Sequence, residues 1–215
     1  MKLIMENWRR FISESNIHPN IMSQINKAEK MGLHIKIFDH GIKIYKPDSD
    51  NLPTASITWD DDPVFGPCLK SKIVSGAYAD EGLGPLAYDI AIEASGGLVS
   101  DRTEVSNAAR DVWDYYDNNR PDVIKQQMDN LENELTPEEK DNCEQLTADQ
   151  DDQSSSWKDS SLSKKYSKPH GKTPVIDELI KRRMLHQKPA LKNDFPADGM
   201  TPSKYNGDLH PGGIP

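Results

Sequence analysis

The stretch SGAYADEGLGPLAYDIAIEAS, Ser75 to Ser95, places Gly82-Leu83-Gly84-Pro85 between an alternating segment and a helical one. Backbone amides at a helix N-terminus lack intrahelical partners and point outward, so such a terminus attracts an anion. Glycines let several amides approach one phosphate with no side chain intervening. Pro85 lacks only a donor that the first helical turn can spare. A tight strand-to-helix connection accounts for the same glycines without any ligand. The third glycine of a dinucleotide fingerprint and the lysine of a P-loop are both missing, and the preceding strands lack βαβ alternation. A phosphate cradle and a structural turn therefore stand side by side as readings.

The elements that must position this loop follow from periodicity. MKLIMENWRRFIS puts Ile4, Trp8, Phe11 and Ile12 on one helical stripe, for packing on its own domain or docking on a partner. In PNIMSQINKAEKMG, Pro19 suits a first turn, Ile21, Ile25 and Ala28 share a face, and Gly32 supplies the stop. The period then changes to two: Leu33, Ile35 and Ile37, then Ile42 and Ile44, with Asp39-His40-Gly41 as the turn between them. TASITW is a third strand pointing Ala55, Ile57 and Trp59 one way, and a fourth runs from about Cys68 to Tyr78. After the loop, Leu83, Leu86, Ala87, Ile90, Ala91 and Ala94 recur at helical spacing until Gly96-Gly97. GLVS makes a short fifth strand. SNAARDVWDYYDNN makes a helix capped by Ser106, with Ala109, Val112, Trp113 and Tyr116 on one face and a stop at Arg120-Pro121. A polar helix is expected through VIKQQMDNLENEL. In the tail, TPVIDELIKRRML has Thr173 as cap and Pro174 at its first position. From His186 onward no fold is expected.

Composition bounds the function. Only 35% of the 215 residues are hydrophobic, so part of the chain is not expected to pack. Asp129 to Asp152 holds ten acidic residues and one lysine, which matches the net charge of the whole chain, -9. A segment that acidic and Ser/Asp/Gln-rich reads as a linker. From Gln153 on, eleven basic residues face six acidic ones. Cys68 and Cys143 have no zinc-type spacing and read as reduced thiols of a cytosolic protein. Charges at Glu6, Arg9 and Arg10 argue against a signal peptide, and no apolar run approaches a membrane span, so no membrane partner is expected. The basic tail lacks the interleaved aromatics that favour nucleic acid.

The order of a β-meander, a long fourth strand, a Gly-x-Gly loop, an amphipathic helix, a short strand and a second helix resembles the GNAT N-acetyltransferase superfamily. The likeness covers about Gly32 to Arg120, and VSGAYADEGLGPLAYDIAIEASGGLVSDRTEVSNAARDVWDYY carries most of it. In that family the loop reads Arg/Gln-x-x-Gly-x-Gly/Ala, and its amides bind the pyrophosphate of acetyl-CoA. Gly82 and Gly84 match, whereas Ala79 stands at the Arg/Gln position and Asp80 and Glu81 bring negative charge near the phosphates. The resemblance implies that the amides of Gly82, Leu83, Gly84, Leu86 and Ala87 hold acetyl-CoA. The chain is also similar to GNAT-related proteins of tailed, especially marine, phages, through residues 84–91, 101–123 and 162–168.

Acetyl transfer requires that the amine lose a proton, the carbonyl oxygen be polarised and the leaving thiolate be protonated. The resemblance implies a tyrosine on the helix after the fifth strand as the acid, Tyr116 or Tyr115. Tyr116 also continues the apolar face of Val112 and Ala109, so it reads as a core residue too. A base at the ends of the third and fourth strands would come from Asp60, Asp61, Asp62 or Tyr78. The three aspartates also read as a solvated loop. His34 falls on the polar face of a strand and His40 in a turn, His170, His186 and His210 fall in the tail, and no metal site or catalytic triad emerges from the sequence.

The expectation is an α/β domain with a GNAT-like mixed, largely antiparallel sheet flanked by helices over residues 1–135. An acidic, Ser-rich linker (136–170) and a weakly ordered basic tail with one short helix (171–215) would follow. The expected function is acyl-CoA-dependent N-acetyl transfer, with acetyl-CoA as co-substrate and an unidentified amine, small molecule or protein, as acceptor. The alternative is a non-catalytic phage protein that keeps the fold for a structural or host-interaction role through its N-terminal helix or tail. The expected location is the cytoplasm, the host's if phage-encoded, or a virion.

Overall fold

Period-two segments pair as the sequence anticipates. HIKIF forms β1 (His34–Phe38) and GIKIY forms β2 (Gly41–Tyr45), joined antiparallel with Phe38 opposite Gly41. The turn is therefore Asp39-His40, and Gly41 already belongs to the strand. It is a close-approach glycine: a Cβ there would stand 2.7 Å from the Ile57 carbonyl oxygen. Gly41→Ala is expected to destabilise the fold by about 1–3 kcal/mol in urea unfolding, because a backbone atom has little room to yield.

The computed structural model describes residues 17–47, 49, 52–61, 71–80, 82–101, 104–129, 141–143, 157–169 and 172–185. The opening helix, the start of the expected fourth strand and the segment from His186 lie outside the described residues. Helix α1 (Pro19–Lys30) buries Ile21, Ile25 and Ala28 and ends at Gly32, whose φ is +67°. Strands β3 (Ala55–Asp60) and β4 (Lys72–Ala79), helix α2 (Gly84–Ser95), strand β5 (Leu98–Val99) and helix α3 (Asn107–Asn119) follow in the expected order. Ser106 caps α3 by accepting from the Ala109 amide. Strands β6 (Ile124–Gln127) and β7 (Lys164–Ser167) and helix α4 (Pro174–Lys181) complete the described elements.

The seven strands form one mixed sheet in the order β1-β2-β3-β4-β5-β7-β6. Among the described strands, only the β4–β5 pair is parallel. Helix α2 lies against β2 to β5 and β7, with α1 and α4 packed on it. It is buried from Leu86 to Glu93. Trp113 of α3 meets Tyr88 of α2 edge-on at 4.9 Å and Tyr166 of β7 at 5.1 Å, so an aromatic cluster joins three elements.

Three expectations are corrected. VIKQQMDNLENEL was read as a polar helix, but its start is β6, paired residue for residue with Lys164–Ser167. An edge strand exposed on most positions carries little apolar signal, and tertiary pairing overrides propensity there. The domain was expected to end near residue 135, yet β7 is inserted between β5 and β6. Val175, Ile176 and Leu179 of α4 are fully buried, and the Ile35 amide donates to the Met184 carbonyl. The core thus reaches Leu185. The polar KKYS hides this, because Tyr166 is its one fully buried side chain. Finally, Cys143 was expected to be a reduced thiol and is disulfide-bonded, buried against Ile73, Val99 and Met128. Pairing depends on proximity in space, to which sequence spacing is blind. The cysteines therefore no longer argue for a reducing compartment.

Candidate functional site

The glycine loop joins β4 to α2 with Leu83 as N-cap and Pro85 in the first turn. Gly82 has φ +71°, a left-handed conformation that glycine adopts without strain, with open space around it. Gly84 is backed by Val112, whose Cγ2 would lie 3.5 Å from an added Cβ. Three of the five expected amide donors already have acceptors. Leu83 N–H donates to Asp80 O at 3.0 Å, and Ala87 N–H to Leu83 O at 2.9 Å. Leu86 N–H donates at 2.9 Å to the side-chain oxygen of Gln24 on α1. The Gly82 and Gly84 amides have no acceptor among the described residues. Gln24 was missed because nothing in a polar helix position announces a contact 62 residues away. Ala79 ends β4, and the neighbouring Asp80 carboxylate accepts from the Tyr78 hydroxyl at 2.5 Å. That hydrogen bond raises the Tyr78 pKa, so the exposed phenol keeps its proton.

Below this loop one edge of β4 is largely unpaired among the described residues. β4 pairs with β3 along its length but with β5 only at Lys72↔Leu98 and Ile73↔Val99. The other edge of β4, from Val74 to Ala79, is left without a strand partner among the described residues. The register with β3 slips as well: Thr58 faces Gly76 but Trp59 faces Val74, which makes Ser75 a bulge. Bulges re-aim backbone groups and leave one residue unpaired. This unpaired edge is roughly 20 Å long at ~3.3 Å per residue, running from Val74 to the glycine loop. Asp60 lies opposite Ile73, where the β4–β5 pairing ends, and Asp61 is ion-paired with Lys72. Asp62 lies outside the described residues.

The two candidate tyrosines have different surroundings. The Tyr115 ring is half-buried, and its hydroxyl contacts His18 Nδ1 at 3.2 Å and accepts from Asn20 Nδ2 at 3.1 Å. Tyr116 is fully buried, with its hydroxyl 2.9 Å from the Pro85 carbonyl oxygen and 2.8 Å from Asp89 Oδ1. Burial first, and then the Asp89 charge, raise its pKa well above the ordinary value. Behind it, Arg120 donates through Nη2 to both Asp89 oxygens, at 3.0 and 2.8 Å, and through Nε to Asp122. Lys168, from the end of β7, reaches Asp122 at 2.6 Å and Asp89 at 3.5 Å. Two cations thus balance two carboxylates. Arg120 Nη1 is buried with no hydrogen-bond partner among the described residues. Burial opposes the Arg120 charge, but the Asp122 hydrogen bond and the Tyr116 and Asp89 interactions outweigh it and raise its pKa.

A second buried carboxylate, Glu93, lies one turn further along α2 than Asp89. It accepts from the Val175 and Ile176 amides of α4 at 3.1 and 2.9 Å. The expected Thr173 cap makes no such bond, so a residue 82 positions away caps this helix in its place. Burial pushes Glu93 up to about 8 despite the two amide bonds.

Among the described residues, no His, Cys, Asp or Glu cluster could hold a metal ion, and no helix is long and apolar enough to cross a membrane. No family model, no curated protein and no solved structure matches this chain.

Proposed function

We propose that the chain is an acyl-CoA-dependent N-acetyltransferase of GNAT type, moving acetyl from acetyl-CoA to an unidentified amine. The observation that carries this reading is that β4 pairs with β5 only at Lys72 and Ile73, which leaves its edge from Val74 up to the glycine loop without a strand partner among the described residues. Coenzyme A has a pyrophosphate at one end of its arm, two amides along it and the thioester at the other end. The amides can add to the free edge of β4 as a strand would. The Gly82 and Gly84 amides are the donors left for the pyrophosphate, a smaller set than the sequence suggested. An arm laid this way carries the thioester toward Ile73, where Asp60 on the neighbouring strand is exposed as a base for the amine. Of the two tyrosines, Tyr115 is the better proton source for the leaving thiolate, since its hydroxyl reaches His18 while that of Tyr116 is enclosed.

One observation favours the second reading, a non-catalytic protein of the same fold with a structural or host-interaction role: three of the five loop amides are spent inside the protein. Calorimetric titration separates the two. Wild type is expected to bind acetyl-CoA in the micromolar range, and Gly84→Glu to lose that binding by setting a carboxylate before the loop. Gly84 suits this test because its added Cβ meets only ordinary contacts. Absence of binding at millimolar acetyl-CoA would leave the non-catalytic reading standing.

A further inference from the structure

We infer that Tyr116 is a positioning residue, which with the Asp89–Arg120 pair behind it clamps the first turn of α2 so that the Gly82 and Gly84 amides meet the acyl-CoA pyrophosphate. The inference rests on the acyl-CoA reading above. A phenol has one proton, and here it faces two acceptors, the Pro85 carbonyl and Asp89 Oδ1. Asp89 in turn accepts two hydrogen bonds from Arg120 Nη2. Giving the proton to a thiolate would leave a phenolate in a desolvated space beside a carboxylate, which is electrostatically expensive.

The same contacts make an effective clamp. Pro85 directly follows Gly84, so a hydrogen bond to its carbonyl fixes the turn from which that amide emerges. One turn earlier on α3, Val112 packs behind Gly84 itself. Asp89 lies one turn further along α2, and Arg120 one turn further along α3. The two helices are therefore tied at successive turns, starting at the loop. Gln24 holds the same first turn through the Leu86 amide. Amides held in place before the ligand arrives bind it without an ordering cost, which is where preorganised sites gain affinity.

The test compares wild type with Tyr116→Phe against two ligands by calorimetry. Acetyl-CoA carries the pyrophosphate, and S-acetylpantetheine has the same arm without it. The expected result is about a tenfold weaker Kd for acetyl-CoA in the variant, equivalent to ~1.4 kcal/mol, with S-acetylpantetheine unchanged. Equal acetyl-CoA affinity in both proteins would overturn the clamp while leaving the acyl-CoA reading intact. Equal weakening of both ligands would also overturn it, as a general loosening. If wild type binds no acetyl-CoA, the acyl-CoA reading fails and the clamp falls with it. Should the variant not fold, hydrogen exchange in ligand-free wild type decides: the Leu86 and Ala87 amides are expected to exchange slowly before ligand is added. Free exchange that slows only with acetyl-CoA counts against the clamp.

Discussion

Arg120→Leu is expected to cost about 3–5 kcal/mol of stability, the range seen when one partner of a buried ion pair is removed. At the usual size scaling this lowers the melting temperature by roughly 10 °C. Arg120 and Asp89 are both fully excluded from solvent. Removing the guanidinium strips Asp89 of two hydrogen bonds and Asp122 of two more. Lys168 alone then faces both carboxylates. It bonds closely to Asp122 and lies 3.5 Å from Asp89, so Asp89 takes most of the loss. The double substitution Asp89→Leu, Arg120→Leu should recover much of the stability, because a buried pair replaced by apolar groups is often neutral. A single-variant loss below about 1 kcal/mol in urea unfolding would mean that water reaches the pair. The network also makes acid costly. Burial opposes the Asp122 charge, but hydrogen bonds from Arg120 and Lys168 hold its carboxyl well below the usual range. The stability it contributes is present above its ordinary pKa and is lost as pH falls toward the folded value.

Glu93 imposes the opposite pH dependence. Burial pushes its pKa from 4.5 up to about 8, the Ile176 and Val175 amides pull it down, Asp89 adds to the rise and Lys168 offsets part of it. Because the folded pKa exceeds the unfolded one, the contribution to stability is full below about 4.5 and is lost as pH rises through about 8. At ~1.4 kcal/mol per pKa unit, the shift represents a few kcal/mol. Glu93→Gln keeps one of the two oxygens that accept from the α4 amides and cannot ionise. The variant is therefore expected to melt above wild type at pH 9, with the gap shrinking steadily toward pH 5. Docking of α4 should follow: in wild type, the Val175 and Ile176 amides exchange faster with rising pH than the intrinsic rate predicts, and in Glu93→Gln they do not. A melting difference that stays constant from pH 5 to 9 would falsify the assignment.

These two effects reside in residues to which the sequence gives no special weight. Asp89 and Glu93 sit in a helix whose apolar repeat was plain, yet a carboxylate on such a helix normally marks its solvent face. Here α2 is covered by the sheet, by α1 and by α4, so both carboxylates are buried and must find partners 31 and 82 or more residues away. Tyr116 was legible both as core and as acid, because spacing places it on the inner face of α3 but says nothing of what its hydroxyl meets.

Local patterns by themselves determined the parts of this protein that need only neighbours in sequence. They gave α1 with its Pro19 start and Gly32 stop, the antiparallel run β1 to β4, the glycine turn into α2 and the Ser106 cap of α3. Each follows from periodicity or backbone geometry within a dozen residues. The tertiary structure decided what depends on distant chain segments. β7 enters between β5 and β6, the polar IKQQ becomes a strand because KKYS pairs with it, and the C-terminal helix joins the core through Glu93. It also decided how many loop amides remain for an anion, because Gln24 reaches one of them across 62 residues. Hydrogen-bond satisfaction in a buried site is a property of the whole fold. A motif alone shows which amides exist, and only packing shows which are free.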